Sequence, residues 1–281
     1  MEHYDRKGAI RLNPHLIVLD LDGTLLTDTK EISPHTKRVL FEAKRQGHQV
    51  MIATGRPFRA SRPYYEELQL TTPIVNFNGA FVHDPMKSSF QPQHTTIQLD
   101  TVHDIVQSLM PYDLSNVLAE VKDDVYIQQY DESLLDIFNM GSPNVTMGLL
   151  ANTLKTSPTS MLLQAKEADV PLIRDYLASA HANIIDHRRW GDPWHIIEIV
   201  HHGIHKAKGL SYVAKHLDIP RERIIAFGDE DNDLEMIDYA GIGVAMGNAI
   251  SPLKNIANEI TTSNNEDGIA TLLMDRLHLN L

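Results

Sequence analysis

The 281-residue sequence contains no cysteine, so neither a disulfide framework nor thiolate chemistry can organise it, and a reducing compartment suits it. Positive charge is in deficit: 25 Lys and Arg stand against 37 Asp and Glu, a formal net charge of −12. That balance argues against a protein that grips nucleic acid by neutralising phosphates, and an acidic surface would be repelled by anionic lipid. No apolar run approaches the roughly 18 residues of a membrane span. Residues 1–13 are polar and mixed in charge, so no secretory leader is predicted and the cytoplasm is the expected compartment. Internal repeats and low-complexity tracts are also missing. What remains is a chain long enough for one large domain or two, with a full buried core.

The stretch around which the rest is organised is Leu16-Ile17-Val18-Leu19-Asp20-Leu21-Asp22-Gly23-Thr24. Its apolar run does not alternate, as expected of a strand buried on both faces of a parallel sheet. It stops at two aspartates one residue apart, at the carboxyl edge where open α/β sheets bind ligands. Two carboxylates there, with Gly23 freeing the backbone to turn, suit a hard divalent cation and a phosphate better than a packed core. Alone, Asp-x-Asp fits a solvated acidic turn equally well.

Further along, Ser33-Pro34 reads as an N-cap with proline at the first helical position, and Gly47 as the stop of that helix. Residues 48–53 are a second strand ending in Thr54-Gly55-Arg56-Pro57; a helix runs through 64–68, and 73–77 is a third strand ending at Asn78-Gly79. The alternation predicts a doubly wound start. From Asp84-Pro85 to about His202 the rhythm changes. A helix is expected near 100–110, then a β-hairpin of 116–121 and 125–129 around Lys122-Asp123-Asp124, whose aspartates read as turn formers. Residues 142–158 read as a loop with at most one helical turn, 161–165 as a strand and 170–180 as a helix. Residues 184–187 and 194–200 form a second strand pair around Gly191-Asp192-Pro193, flanked by Trp190 and Trp194 as packing residues. This is the pattern of an inserted α+β domain. The parallel rhythm then resumes: a helix over 206–217, a strand over 223–227 ending in Gly228-Asp229-Glu230-Asp231-Asn232-Asp233, a strand over 241–245, and helices over 249–257 and 266–277.

Four strand ends are therefore expected to deliver Asp20 and Asp22, Thr54, Lys206, and Asp229 with Asn232 and Asp233 to one sheet edge. The set is chemically coherent. A carboxylate can attack phosphorus, a second carboxylic acid can protonate the leaving oxygen, acids can hold a metal, and Lys and Thr can bind phosphoryl oxygens. The histidines at 195, 201, 202 and 205 suggest a transition-metal site at first sight, but they present no tetrahedral set.

Asp-Leu-Asp-Gly-Thr, Ala-Thr-Gly-Arg-Pro, Gly-Ile-His-Lys, Gly-Asp-Glu-Asp-Asn-Asp and Val-Ala-Met-Gly-Asn-Ala, in this order, resemble the haloacid dehalogenase superfamily, in its Cof-type sugar-phosphatase-like branch. Asn78-Gly79-Ala80 and the closing Asn265-Glu266-Asp267-Gly268 belong to the same likeness, which runs from about His15 to the end. The resemblance implies a Rossmann-like, doubly wound parallel α/β core built from residues 1–84 and 203–281, with residues 85–202 as an inserted α/β cap that selects substrate. It implies that Asp20 is the nucleophile and a ligand of Mg²⁺. Asp22 would be the general acid and base and would reach the metal through its backbone carbonyl. Thr54, the Gly55 and Leu21 amides and Asn232 would hold phosphoryl oxygens, Lys206 would neutralise phosphate and nucleophile, Asp229 would ligate Mg²⁺, and Asp233 would orient these groups from behind.

One departure stands out: the family's usual glycine after the lysine is Ala207 here, and the Lys-Gly pair falls instead at Lys208-Gly209. Lys206 remains the expected catalytic lysine, because it lies three residues after Gly203 and opens the helix, whose N-terminus can face the same anion. The implied activity is a Mg²⁺-dependent phosphatase of small phosphorylated metabolites. Its alternatives are a phosphomutase, which would convert a hexose 1-phosphate to the 6-phosphate instead of free sugar, and a non-catalytic phosphometabolite sensor, which needs neither nucleophile nor proton donor.

Overall fold

The computed structural model describes residues 14–189, 195–279 and 281, the side chains of 135–137 excepted. Trp190, Trp194 and the turn between them lie outside the described residues. In chain order the first elements are β1 (Leu16–Leu19), α1 (Pro34–Arg45), β2 (Gln49–Ile52), α2 (Phe58–Glu67), β3 (Ile74–Asn76), β4 (Phe81–His83) and β5 (Gln93–His94). The middle of the chain supplies α3 (Leu99–Ser108), β6 (Leu114–Val121), β7 (Asp124–Ile127), α4 (Glu132–Phe138), β8 (Val145–Met147), α5 (Leu150–Thr153), β9 (Ser160–Ala165), α6 (Val170–Ala180), β10 (Ile185–Arg189) and β11 (Ile196–His201). The last part gives α7 (Lys206–His216), β12 (Ile224–Gly228), α8 (Leu234–Tyr239), β13 (Ile242–Ala245), α9 (Ser251–Ile256), β14 (Glu259–Ile260) and α10 (Gly268–Leu277).

β1 is wholly buried, as its unbroken apolar run requires, and pairs in parallel with β2 on one side and β12 on the other. The core sheet has the order β14-β13-β12-β1-β2, so the first and last thirds of the chain share it. From β1 the chain steps one way to β2, and from β12 it steps the other way to β13. Right-handed crossovers then put α1 and α8 on opposite faces, which makes the sheet doubly wound. α1 packs against α10, while α7, α8 and α9 adjoin in series. The Ser33 hydroxyl accepts from the Thr36 amide at 3.1 Å, with Pro34 at the first helical position, so α1 starts where its sequence signal lies.

Several details differ from the sequence reading: α2 begins at Phe58, and β4, β5, α4 and β14 are not among the expected elements. The third strand, β3, touches the core sheet only through a parallel bridge between Ala53 and Val75, and otherwise pairs antiparallel with β4 in a small sheet β3-β4-β5. The cause is the turn at Asn78 and Gly79, whose φ angles of 52° and 104° reverse the chain. In addition, residues 142–158 contain β8 as well as the short α5. All three β8 residues are exposed, so that edge strand carries no alternating pattern for a sequence to show.

The second sheet, of order β10-β11-β9-β6-β7-β8, is antiparallel except for β7 beside β8. Alternation along its strands gives it two apolar faces. Val117, Met161, Leu163 and Ile197 pack with residues of α3 and α6, whereas Leu118, Leu162 and Ile196 pack with Leu134 and Phe138 of α4. Glu120 and Glu198 share the parity of the second face. No described helix is long and apolar enough to cross a membrane.

Candidate active site

Because β12, β1 and β2 are parallel and in register, with Leu19 beside both Phe227 and Ile52, the residues that follow them emerge side by side. Asp20, Thr54 and Asp229 are brought to one edge in this way. All three are buried, at 6%, 2% and 8% exposure. Lys206 comes from the first position of α7, after an extended His205, as the helix expected from residue 206 requires, and not directly from a strand end as its grouping with the other three had it. The Asn78-Gly79 turn packs so closely on that start that a Cβ at Gly79 would lie 2.5 Å from the His205 carbonyl oxygen.

Lys206 has no exposed surface, yet its ammonium donates to Asp20 Oδ1 at 2.6 Å and to Asp233 Oδ1 at 2.7 Å. Burial opposes its charge, but the two carboxylates outweigh that and hold its pKa above the ordinary lysine value. Lys208 is exposed. Asp20 is pushed well above the usual carboxylate range, first by burial and then by Asp233 and Asp229, with Lys206 pulling the other way. Asp229 is raised to about 7, chiefly by burial, against the hydrogen bond it accepts from the Thr24 hydroxyl at 2.7 Å. The second oxygen of Asp233 accepts from the amides of Asp229 and Glu230 at 3.0 and 3.2 Å, so this carboxylate is filled from both ends and fixes the Asp229 loop.

Carboxylate oxygens of Asp20, Asp229 and Asp233 lie within 4.8 Å of one another, a hard, all-oxygen donor set suited to a divalent cation. With Asp233 engaged by Lys206 and two amides, Asp20 and Asp229 are the carboxylates left to ligate. Gly23 keeps this space open: at φ +76° a Cβ there would sit 2.2 Å from Asp229 Oδ2. The loop after β13 braces the same turn, since the Asn248 amide donates to the Gly23 carbonyl at 2.8 Å and the Met246 amide to the Gly228 carbonyl at 3.0 Å.

The Asp22 side chain points elsewhere. Arg56 holds it from Nε and NH2 at 2.6 and 2.7 Å, and Lys30 adds a contact of 2.7 Å. Burial would raise its pKa, but these cations prevail and lower it to about 2. Asp22, Thr54, Gly55 and Asn232 line a cleft of about 430 Å³ whose far wall includes Arg59, Glu120 and Phe138. Leu21 is buried, between the cleft residues Asp20 and Asp22. Asn232 is positioned by Asn78, whose Oδ1 accepts from its amide at 3.0 Å. A Cβ at Gly55 would approach that same Asn78 to 3.2 Å. Sequence reasoning gave no site role to Asn78, Arg56, Lys30 or Thr24. For Asn78 a signal existed in the Asn-Gly pair at a strand end; for Lys30 none did.

A family model described as haloacid dehalogenase-like hydrolase matches residues 17–273. The chain belongs to that family. Over 266 residues, 95% of this chain and 98% of the relative, it is 54% identical to the 5-amino-6-(5-phospho-D-ribitylamino)uracil phosphatase YitU of Bacillus subtilis. A crystal structure of a haloacid dehalogenase-like hydrolase from Bacteroides thetaiotaomicron superposes with a TM-score of 0.82 at 27% identity, covering 94% of this chain and 99% of that one. A subclass IIB sugar phosphatase shares the fold at a TM-score of 0.79 and 23% identity, covering 95% of this chain and 100% of its own. Within the haloacid dehalogenase-like hydrolases the chain is thus a phosphatase, with a parallel core and a second, cap-like sheet.

Proposed function

We propose that this hydrolase is Mg²⁺-dependent and cleaves small phosphorylated metabolites through an aspartyl-phosphate on Asp20, acting in the cytoplasm. The observation that carries this reading is the buried Lys206, clamped between Asp20 and Asp233 beneath a cleft of about 430 Å³. A sensor would need a counter-ion for phosphate, but not a carboxylate under the cleft with a cation fixing it.

In the proposed reaction an Asp20 oxygen attacks phosphorus while the bond from phosphorus to the ester oxygen breaks, and Asp22 gives that oxygen its proton. Water then attacks the acyl-phosphate, Asp22 takes up a proton, and breaking the bond to Asp20 restores the carboxylate and releases inorganic phosphate. To serve as the acid, Asp22 must turn away from Arg56 and Lys30, which hold it ionised in this structure. Thr54, the Gly55 and Leu21 amides and Asn232 are assigned the phosphoryl oxygens, and Lys206 offsets the charge that they and Asp20 share. Asp20, Asp229 and the Asp22 carbonyl would hold Mg²⁺, which supplies charge neutralisation and in-line alignment. The segment within residues 85–202 that carries the second sheet is assigned as the cap that shields the site and chooses substrate.

The phosphoribitylamino-uracil in the name of the Bacillus subtilis relative is the first substrate to test. Phosphate release is to be measured for it beside sugar phosphates and pyridoxal phosphate, with Mg²⁺ and with excess chelator. Release from at least one, abolished by chelator, is expected; no release from any, or equal release in chelator, would overturn the reading.

A further inference from the structure

Phe138, the last residue of α4, is 4% exposed and packs on the second face of the second sheet. Two residues on, Met140 lines the same cleft at 41% exposure. Its backbone is closely constrained. The Ser142 amide donates to the Asn139 carbonyl at 3.0 Å, which closes a tight turn with Met140 and Gly141 at its centre. Gly141 has φ +78°, the conformation that a type II turn demands at its third position. The turn is also seated on the start of α2: a Cβ at Gly141 would lie 2.5 Å from the Arg59 carbonyl oxygen, and the Phe138 carbonyl accepts from Arg59 NH2 at 3.4 Å. Met140 is therefore fixed from both sides with its own side chain still open to the cleft. A single exposed methionine on a convex surface asks for no explanation. One held in a concave site, beside Phe138, Pro57 and Ala60, is apolar surface that a ligand can cover.

We propose that Met140 determines specificity by covering a planar ring in the leaving group, so that the substrates are phosphate esters that carry such a ring and not bare polyol or sugar phosphates. The inference rests on the phosphatase reading and adds the part of the substrate that the cleft recognises. The reacting centre has no use for this side chain, since a phosphoryl group and a divalent cation call for amides, cations and oxygens. The leaving group is what remains for it to meet. A thioether offers hydroxyl groups no donor and only a weak acceptor, whereas its polarizable sulfur and methyl pack well against a ring. Because the turn that carries Met140 rests on Arg59, this contact stands at a fixed place relative to the core.

The test compares kcat/KM for the phosphoribitylamino-uracil and for ribitol 5-phosphate, two esters that share a phosphoribityl chain and differ by the ring. It uses the wild type, Met140→Ala, Met140→Gln and Met140→Leu; the residue is exposed, so each variant should fold. The wild type should prefer the ring-bearing ester. Met140→Ala removes the contact and Met140→Gln keeps its length but makes it polar, so both should lower the value for that ester by about five- to thirtyfold. Ribitol 5-phosphate should stay within about twofold in both, and Met140→Leu should stay within about threefold of wild type on either ester. Equal losses on the two esters, an unchanged ratio, or a Met140→Gln enzyme as selective as the wild type would overturn the inference. So would a wild type that hydrolyses ribitol 5-phosphate as well as the ring-bearing ester, or other esters but not that one, leaving the phosphatase reading intact. Failure of that reading would look different: no chelator-sensitive release from any phosphate ester.

Discussion

Replacing Lys206 with methionine keeps its unbranched apolar stem and removes the terminal ammonium with its charge. Asp20 and Asp233, both buried, would then face each other across the place where the ammonium makes its 2.6 and 2.7 Å contacts. Breaking a buried pair from one side costs about 3–5 kcal/mol, because the surviving charge keeps its desolvation penalty. At about 2.1 cal/mol/K of unfolding entropy per residue, a 281-residue chain carries about 0.6 kcal/mol/K, so Tm should fall by about 5–8 °C. Adding Asp233→Asn removes one stranded carboxylate and should return part of that loss. Turnover should drop by about two orders of magnitude or more, as for a preorganised electrostatic contact, and should not return in the double variant. The exposed Lys208 supplies the control: Lys208→Ala should stay near wild type in both readouts. Thermal melts and phosphate release on the three variants decide the matter. Lys206→Met with wild-type Tm and turnover, together with an inactive Lys208→Ala, would refute the placement of the lysine.

Asp20→Asn should lose more than about four orders of magnitude in turnover, as a covalent nucleophile must. Its Tm should hold or rise, because burial already disfavours the Asp20 charge; activity above a tenth of wild type would exclude the covalent route. Mg²⁺ should support turnover and Ca²⁺ should support it poorly, since Mg²⁺ imposes a tight octahedron and Ca²⁺ accepts a looser shell; equal rates with both ions, after chelation and dialysis, would contradict the proposed alignment. His83, lowered to about 4 by burial, should make stability depend on pH, in company with His15, His48 and His94, which burial also lowers. The unfolded chain binds these protons near pH 6.5 and the folded chain does not, so Tm should decline as pH falls from about 6.5 toward 4. The decline should be shallower in His83→Phe, and an unchanged slope would disprove the assignment.

Local signals in the sequence carried a long way. The apolar run of β1 announced a strand buried on both faces, Ser33-Pro34 marked the start of α1, and acids placed directly after apolar runs marked the ends of β1 and β12. Each of these is written within a few consecutive residues. Contacts between distant segments have no such signature. Asp123 reads as a turn former, and the hairpin does turn beside it, at Lys122 with φ 54°; its carboxylate also receives the Arg59 amide from 64 residues away. Arg56 sits in a recognisable motif, but its grip on Asp22, 34 residues off, follows only from the fold.

The electrostatics show why the need for a cation was legible when the substrate was not. Asp20, Asp229 and Asp233 gather in one place with a single ammonium among them, so with all three ionised two buried negative charges have no counter-ion among the described residues. Burial and mutual repulsion accordingly raise Asp20 and Asp229. A divalent cation carries the missing charge, and it relieves this strain only if the three acids stand where parallel strands and one short turn put them. Both conditions are visible in Asp-x-Asp and Gly-Asp-Glu-Asp-Asn-Asp at the ends of apolar runs. The far wall of the cleft obeys a different rule. Arg59 and Glu120 neutralise each other in full, so they leave no net charge to mark the place, and their side chains meet only after the second sheet has been seated on the core. A place of unbalanced charge can be read along the chain, whereas a balanced pair formed between distant segments has to be read in three dimensions.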